Sequence, residues 1–315
     1  MAVIQVQSPG LFTTVQDLGR EGFGPLGVSA SGAADAISLR IGNRLVGNTE
    51  GAAGLEMTLI GGSFLFRDGV TVAVTASDFG ATLDGTAVEP WTSVEIKPGQ
   101  TLNVGPTRSG ARSYLCIHGG IDVNPFLGSA STHVLSGLGG IGGRPLRKGD
   151  VLNIGAATAS PPTRKVSHQA LERLSPRKVL RVTQGPQCDW FSDSSQLSFY
   201  SNTYRVTEES NRMGLRLEGP TIPRRPERGR AMITEGVSLG AVQVTGGGSP
   251  IVLFVDQQTT GGYPKIANVI AADLPSVGQL RPRDEIRFEK VEPRHARSLL
   301  IEVEELLCSP QLIFE

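Results

Sequence analysis

The densest group of side chains that could carry out chemistry follows the apolar run 250–255. The segment 256–263 reads Asp-Gln-Gln-Thr-Thr-Gly-Gly-Tyr, and it places a carboxylate, two amides, two hydroxyls and a phenol at the end of one predicted strand. A plain β-turn would need only the two glycines. We therefore interpret this segment, with the neighbouring stretch 234–244, as a binding site for a small polar amide or urea-like molecule.

Other segments are also rich in polar groups, but each has a structural explanation. Asp17 and Arg20 lie three residues apart among glycines, so a site and a turn closed by an Asp–Arg bridge are equally supported. Glu56 precedes an apolar run and needs a partner such as Arg40 or Arg44, or a ligand, and a structural ion pair is slightly favoured. The loops 119–122 and 127–132 could hold an anion, although ordinary turn chemistry accounts for them equally well.

Motifs for common cofactors are missing from the sequence. There is no phosphate-binding loop, no H-E-x-x-H and no G-x-S-x-G, and the glycine-rich run 137–143 is predicted to be a loop because no strand and helix flank it. The four histidines lack ligand spacing, so no metal site is predicted. The three widely spaced cysteines predict no disulfide and favour a reducing compartment.

Short strands are the elements predicted to position these residues. Six runs rich in Val, Ile, Leu and Thr alternate with turn residues, at 69–80, 94–104, 111–118, 178–184, 237–244 and 250–255. In the third run Leu115 and Ile117 should share one face, with Tyr114 and Cys116 on the other.

Two helices are predicted. The first spans Ala34 to Val46, with Ser31 as N-cap and with Arg40, Asn43 and Arg44 on its outward face. The second spans roughly 294–307 after Pro293 and forms a C-terminal strap.

Composition limits the class of protein. The chain has 315 residues and a net charge of zero, so it lacks the positive field of a nucleic-acid binder. Its 40 glycines and 20 prolines favour a mainly β fold with many turns over a helical bundle. No apolar run approaches the roughly 20 residues of a membrane span, and the expectation is a soluble cytoplasmic protein.

A short internal repeat indicates two related halves. Residues 146–154 and 280–288 share the pattern L-R-x-x-D-x-[LI]-x-[IF], which predicts a turn that leads into a closing strand. With the Pro- and Arg-containing stretch that follows the first copy, this predicts a first β domain over 1–160, a linker over 161–177 and a second β domain over 178–315 that carries the helical strap.

Several segments together resemble the family called allophanate hydrolase subunit 2, also described as the biotin-dependent carboxyltransferase domain family or as the C component of 5-oxoprolinase. The segments that carry the resemblance are SPGLFTTVQDLGREG (8–22), SGAADAISLRIGNRLVGN (31–48), LEMT (55–58), GGIDV with LGSAST (119–132), NRMGLRLEGP (211–220), and TEGVSLGAVQV with PIVLFVDQQTTGGYP (234–264). The resemblance implies two cyclophilin-like β-barrel domains. At Arg283 the sequence departs from the family, which usually has Gly after Pro282, and this predicts a type I turn without positive φ.

The resemblance also implies a function that depends on partners. The leading expectation is one component of an ATP-dependent hydrolase complex that converts 5-oxoproline to glutamate. Its expected partners are a homologue of allophanate hydrolase subunit 1, which corresponds to the B component of 5-oxoprolinase, and a third protein, a homologue of the A component. ATP is then used by the complex. The alternatives are a carboxyltransferase component of a urea or amide carboxylase, with biotin carried by a partner, and a non-catalytic regulator that binds subunit 1.

If the resemblance holds, the polar segments provide the site. We expect Asp256, Tyr263 and Glu235 to be catalytic. The expected substrate-binding residues are Gln257, Thr259, Gln243, Asp17, Arg20 and Glu56. On this hypothesis Asp256→Ala abolishes turnover and leaves the melting temperature nearly unchanged.

Overall fold

The computed structural model describes residues 2–156, 161–229 and 232–315. The regular elements of the first half are mostly strands, with two helices, α1 (Ala36–Leu45) and α2 (His168–Arg173). Its strands are β1 (Val3–Ser8), β2 (Phe12–Gln16), β3 (Gly54–Thr58), β4 (Ser63–Phe66), β5 (Val70–Ala76), β6 (Thr82–Leu83), β7 (Thr86–Ala87), β8 (Ser93–Ile96), β9 (Thr101–Asn103), β10 (Arg112–Ile117), β11 (Ile121–Asp122), β12 (Val151–Ile154) and β13 (Lys165–Val166).

The second half has the same character, with three helices, α3 (Asp193–Ser201), α4 (Leu274–Gly278) and α5 (Pro293–Cys308). Its strands are β14 (Val179–Gln184), β15 (Tyr204–Val206), β16 (Gly214–Glu218), β17 (Glu235–Gly236), β18 (Ala241–Val244), β19 (Pro250–Leu253), β20 (Thr260–Gly261), β21 (Lys265–Val269), β22 (Glu285–Lys290) and β23 (Ile313–Phe314). The prediction of a mainly β chain with a few helices is confirmed.

The described chain packs into two compact units. Unit 1 contains residues 1–20, 31–174 and 306–315, and unit 2 contains 21–30 and 175–305. The sequence-based domain 1–160 ends in residues 157–160, which lie outside the described part. The stretch predicted as a linker, 161–177, contains β13 and α2, which are regular elements of unit 1. The boundaries of the linker and of the two domains stay a prediction.

Unit 1 carries its strands in two larger sheets and one short pair. One sheet has the order β11-β12-β1-β4-β9-β6-β7, the other has the order β2-β3-β10-β5-β8, and β13 pairs with β23. Alternate residues of both larger sheets form one hydrophobic core, with Ile4 and Phe64 from the first sheet and Val72 and Leu115 from the second.

The two faces of β10 divide as the alternation predicts. Leu115 and Ile117 lie in the hydrophobic core. Tyr114 donates to a carboxylate, and the Cys116 thiol contacts the backbone carbonyl of Leu39 in α1 at 3.7 Å. Burial raises the pKa of the Cys116 thiol far above its ordinary value, so the group is a packing residue rather than a nucleophile.

Helix α1 differs from its prediction in its cap and in its buried face. Asp35, not Ser31, is the N-cap, and its carboxylate accepts from Ser38 N at 3.0 Å. Asn43 is fully buried rather than outward, because its amide donates to the carbonyls of Glu50 and Ala52. Periodicity could not show that this polar side chain ties α1 to the chain that follows.

Unit 2 is built on a closed barrel with the strand order β14-β21-β18-β19-β16-β15-β22. The barrel closes through the parallel pair β14 and β22. Phe199 of α3 stacks on Phe288 of β22, with ring centroids 4.5 Å apart, and this packing holds α3 against the barrel. The barrel expected for the second half is confirmed.

The internal repeat corresponds to one turn built twice. Arg147 N donates to the Asp150 carboxylate at 2.7 Å, and Arg281 N donates to the Asp284 carboxylate at 2.9 Å. Gly149 N donates to Val6 O and Arg283 N donates to Val206 O, which ties each turn to a strand of its own unit. The two halves therefore share a structural unit.

The prediction that Arg283 avoids a positive φ is wrong. Gly149 has φ +90°, and Arg283 at the matching place has φ +73°. The turn keeps the positive φ that a type II turn requires at its third residue, although Arg283 carries a Cβ. The surrounding strand pairing overrides the local preference of this residue.

Several predicted strands are shorter than expected, such as 69–80, of which only 70–76 pairs as β5. The run 94–104 is broken by a turn at 97–100 between β8 and β9, and in 237–244 only 241–244 pairs as β18. In the described residues, no helix is long and apolar enough to span a bilayer.

Candidate functional site

Loops and short strands at one part of the unit 2 barrel bring several of the predicted site residues together. Glu235 lies on β17, which pairs with β20 at Gly261. Gln243 lies on β18, opposite Lys265 of β21. We call Gln187, Glu235, Gln243, Tyr263 and Lys265 the Lys265 cluster.

An ion pair forms the centre of the Lys265 cluster. The Lys265 ammonium contacts Oε1 of Glu235, and the lysine side chain is only 4% exposed whereas the glutamate side chain is 44% exposed. Gln187 Nε2 donates to the same glutamate oxygen at 2.6 Å. The hydrogen bond from Lys265, followed by that from Gln187, lowers the pKa of Glu235. Glu235 is therefore an anion at neutral pH.

The backbone of the turn at Gln187 is tied to the same strand. Gln187 N donates to Lys265 O at 3.2 Å, and Lys265 N donates to Gln187 Oε1 at 3.2 Å. The amide of Gln187 thus bridges the lysine backbone and the glutamate carboxylate. This fixes the position of the ion pair relative to the barrel.

Gln243 and Tyr263 extend the Lys265 cluster. Gln243 is 1% exposed, and its Nε2 lies 3.5 Å from Tyr263 O. A Cβ on Gly261 would lie 2.5 Å from that Nε2, so only glycine fits there without movement. The Tyr263 ring is half-exposed and lies 5.9 Å from the Arg224 guanidinium.

Asp256 is engaged in a buried ion pair. Arg212 donates to it through Nε at 2.7 Å and through Nη2 at 3.2 Å, and both side chains are more than nine-tenths buried. Asp256 N also donates to Arg212 O at 2.9 Å. Such a bidentate pair orders the loop after β19.

Gln257 and Thr259 contact the backbone of the segment after β17. The Gln257 amide faces the backbone of residues 237–239, and Thr259 O accepts from Val237 N at 3.1 Å. These two residues therefore position the segment that directly follows Glu235.

Asp17 and Arg20 belong to unit 1, and there they hold one loop. The Asp17 carboxylate accepts from Ser129 Oγ, Ser131 Oγ, Gly19 N and Ala130 N. Arg20 donates to the backbone carbonyls of Phe126 and Ser131, and its guanidinium lies over the Phe126 ring. Asp17 and Arg20, which the sequence left open as site residues or as a bridge closing a turn, both bind the loop 126–131.

Glu56 is also held within unit 1. Its Oε2 accepts from Tyr114 Oη at 2.7 Å and from Ala34 N at 2.8 Å, and Arg112 Nε lies 3.5 Å from Oε1. Arg40 and Arg44 also pair with Glu50. Burial, then the charge of Glu56, raises the pKa of Tyr114, so this phenol keeps its proton.

Cavities of about 620 and 700 Å³ open on the described part of unit 2. The first is lined by Gln184, Cys188, Arg225 and acidic residues, and the second by three arginines with acidic partners. None of the predicted site residues lines either cavity. Among the described residues, no group of three His, Cys, Asp or Glu side chains is arranged to hold a metal ion.

Sequence reasoning missed Lys265, Gln187 and Arg212. Lys265 stands two residues after the polar segment 256–263, and a charge at the start of a mostly apolar strand was the signal that could have identified it. Gln187 and Arg212 are distant in sequence and enter only through the barrel pairing.

The chain matches known proteins over nearly all of its length. The model of the carboxyltransferase domain, subdomains A and B, matches residues 26–290. The C component of 5-oxoprolinase from Escherichia coli is 39% identical over 91% of this chain and 90% of its own length. The urea amidolyase of Saccharomyces cerevisiae is 37% identical over 94% of this chain, which spans 17% of that protein. The crystal structure of Kluyveromyces lactis urea carboxylase superposes with a TM-score of 0.91 at 34% identity, over 97% of this chain and 29% of that chain.

Proposed function

The chain belongs to the family of the carboxyltransferase domain, subdomains A and B, and on this premise we propose that it is one component of a multi-protein hydrolase that opens a small cyclic amide. The proposed reaction is the ATP-dependent conversion of 5-oxoproline to glutamate, in which the ring C–N bond breaks and water supplies the oxygen and hydrogens. The proposed partners are a homologue of subunit 1 (the B component of 5-oxoprolinase) and a homologue of the A component. ATP is consumed by the complex.

The observation that carries this proposal is the Lys265 cluster. A cyclic amide offers one N–H donor and one carbonyl acceptor. The Glu235 carboxylate can accept from the N–H, and the Gln243 amide or the Lys265 ammonium can donate to the carbonyl. Gln243 and Lys265 are buried, and an unmade hydrogen bond of such a group would cost about 1–3 kcal/mol, so this pairing favours an amide. The phenol of Tyr263, at the exposed side, is the proposed proton donor.

Asp256, Gln257 and Thr259 take positioning roles in this proposal. Asp256 is held by Arg212, and the other two contact the segment that follows Glu235. Asp17, Arg20 and Glu56 are proposed to shape unit 1, because their polar atoms bind its own backbone and side chains.

A second candidate function is the carboxyltransferase component of a urea carboxylase. The 37% identity to a urea amidolyase supports it. Urea has the same N–H and carbonyl groups as a lactam, and biotin would be carried by a partner. A third candidate, without catalysis, is a regulator that binds subunit 1.

The test is reconstitution with the cognate homologues of subunit 1 and of the A component. We expect glutamate release from 5-oxoproline that requires ATP, this chain and both partners. Tyr263→Phe should lower kcat, whereas Lys178→Met, a change in an exposed lysine paired with Asp284, should leave it unchanged. A complex that is inert to 5-oxoproline but carboxylates urea with a biotinylated partner contradicts the proposal. A complex inert to both substrates supports the regulator.

A further inference from the structure

Helix α5 has two faces of different character. Successive residues of a helix are about 100° apart, so Ala296, Leu299 and Val303 lie on one face, and all three are partly buried. Ile301 lies at the centre of the opposite face, and 45% of its surface is exposed. The helix therefore packs on the protein along its first face and presents the face around Ile301 to solvent.

This exposed face carries charges of opposite sign on the two sides of Ile301. Arg294 and Arg297 precede it and Glu305 follows it, and all three charged side chains are exposed. Within the described part of the chain, no ion pair joins any of these three residues to another residue. Arg181 of the barrel, in contrast, pairs with a buried carboxylate. The charges of α5 are thus available to a partner outside the chain.

The order of these charges does not stabilise the helix itself. A helix favours acidic residues in its first turn and basic residues in its last turn, because of its macrodipole. Helix α5 has neither; Arg294 stands in its first turn and Glu305 in its last. Arg297 and Glu305 are eight residues apart, whereas an ion pair within a helix needs a spacing of three or four.

A second copy of the same helix supplies the complementary order of charges. When two helices pack antiparallel about a two-fold axis at Ile301, residues equally distant from Ile301 in the sequence face each other. Arg297 stands four residues before Ile301 and Glu305 four residues after it, so each faces the other across the axis. Symmetry forms this pair twice and brings the two Ile301 side chains together between the pairs.

From these observations we propose that the exposed face of α5 is an interface between two copies of this chain, packed antiparallel about Ile301. The occupant is a second copy because the face is complementary to itself. A single pair of helices buries less surface than a permanent dimer does, so the association is reversible and weakens with salt. The inference is independent of the proposed function, since it uses no residue of the Lys265 cluster.

The test measures self-association of the full chain by sedimentation equilibrium at low salt. We expect wild type to form dimers. Arg297→Glu and Glu305→Arg should each weaken the dimer about 10- to 100-fold, because each change places two pairs of like charges opposite each other. The double variant, with both changes, should restore association close to that of wild type.

The matched control is Lys290→Glu, which reverses an exposed charge of the same unit outside α5 and should dimerise as wild type does. Equal dimerisation of wild type and both single variants would overturn the inference, because the interface would then lie elsewhere. A wild-type chain that stays monomeric at about 1 mM would also overturn it. Weak association of the double variant would contradict the pairing of Arg297 with Glu305.

Cross-linking provides a second measurement that leaves these charges in place. Ile301→Cys and Glu305→Cys are compared in a Cys308→Ser background, which removes the exposed native thiol. The substituted side chains at position 301 meet at the axis, whereas those at position 305 lie about 12 Å apart along the helices, beyond the reach of a disulfide. Mild oxidation should therefore link the first variant into dimers and not the second. Equal cross-linking of the two variants would contradict the antiparallel arrangement.

Discussion

At the residue scale, several carboxylates that look alike in the sequence have different tasks. Glu56 and Asp17 are saturated by hydrogen bonds inside unit 1, and Asp256 is held by Arg212. Glu235 is the half-exposed one, and it faces a buried lysine. Burial and partners, rather than residue type, separate a structural carboxylate from a candidate reactive one.

The Arg212 pair changes the expected behaviour of Asp256→Ala. Removing the carboxylate leaves the Arg212 guanidinium buried without its bidentate partner, which costs about 3–5 kcal/mol of unfolding free energy. The double variant Asp256→Leu with Arg212→Met should recover most of this loss, because neither charge is then buried. Urea unfolding of the three proteins measures the effect. An unchanged midpoint for Asp256→Ala would show that the pair is not structural.

The lowered pKa of Glu235 predicts how the free energy of unfolding depends on pH. Its pKa in the folded protein is lowered below the ordinary value of 4.5 by Lys265 and Gln187. The stabilisation is therefore complete above about pH 4.5 and is lost as the pH falls through the lower, folded-state pKa. Glu235→Gln should cost about 1 kcal/mol at pH 7, and this difference from wild type should shrink below pH 4.5. Denaturant midpoints between pH 3 and pH 7 provide the measurement, and a pH-independent difference would contradict the ion pair.

At the element scale, the turn that is built twice shows how pairing overrides local preference. Each turn is tied by two hydrogen bonds to one valine, Val6 in unit 1 and Val206 in unit 2. Both turns need a residue with positive φ, and unit 1 has Gly149 there. In unit 2 the same conformation is imposed on Arg283.

Arg283→Gly is accordingly expected to stabilise the chain. The left-handed conformation costs a residue with a Cβ about 1–2 kcal/mol, and glycine avoids this cost. Part of the resulting stabilisation is lost because glycine has more conformational entropy in the unfolded state. The exposed pair with Glu208 is worth little. We expect a net gain of about 0.5–1 kcal/mol in unfolding free energy. Gly149→Ala is the matched control and should destabilise, since open space around Gly149 leaves only the φ effect. A loss of stability in Arg283→Gly would contradict this account.

At the scale of the whole molecule, both units contain polar segments. Only unit 2 brings its polar side chains together into a cluster that could bind an amide. Unit 1 uses its polar segments to tie loops to its sheets, and unit 2 places an ion pair and amides at its barrel. The chain as a whole carries 30 basic and 30 acidic residues. Contacts with partners thus depend on local surfaces rather than on a long-range field.

The balanced charge predicts a solubility minimum near neutral pH. The isoelectric point from the sequence is about 6.9, and self-association should be greatest there because repulsion between copies is smallest. Light scattering at low salt should show less association at pH 8.5 than at pH 7. Association that does not vary over this range would point to apolar contacts instead.

The sequence by itself determined the fold class, the strand-rich composition and the position of the polar segments along the chain. These follow from local patterns, namely alternation along β10, the turn residues and the apolar period of α1. The family resemblance, confirmed by the comparisons, supplied the expectation of a partner-dependent enzyme component.

Only the tertiary structure decided which partner each charged residue has. Glu56 is paired with Arg112 and Tyr114 of the neighbouring strand. Lys265 of β21 meets Glu235 of β17, which lies 30 residues away in the chain. Such contacts depend on strand register and barrel closure, which a local pattern does not encode. For the same physical reason the positive φ of Arg283 could not be predicted, because long-range pairing, not the residue's own preference, sets that turn.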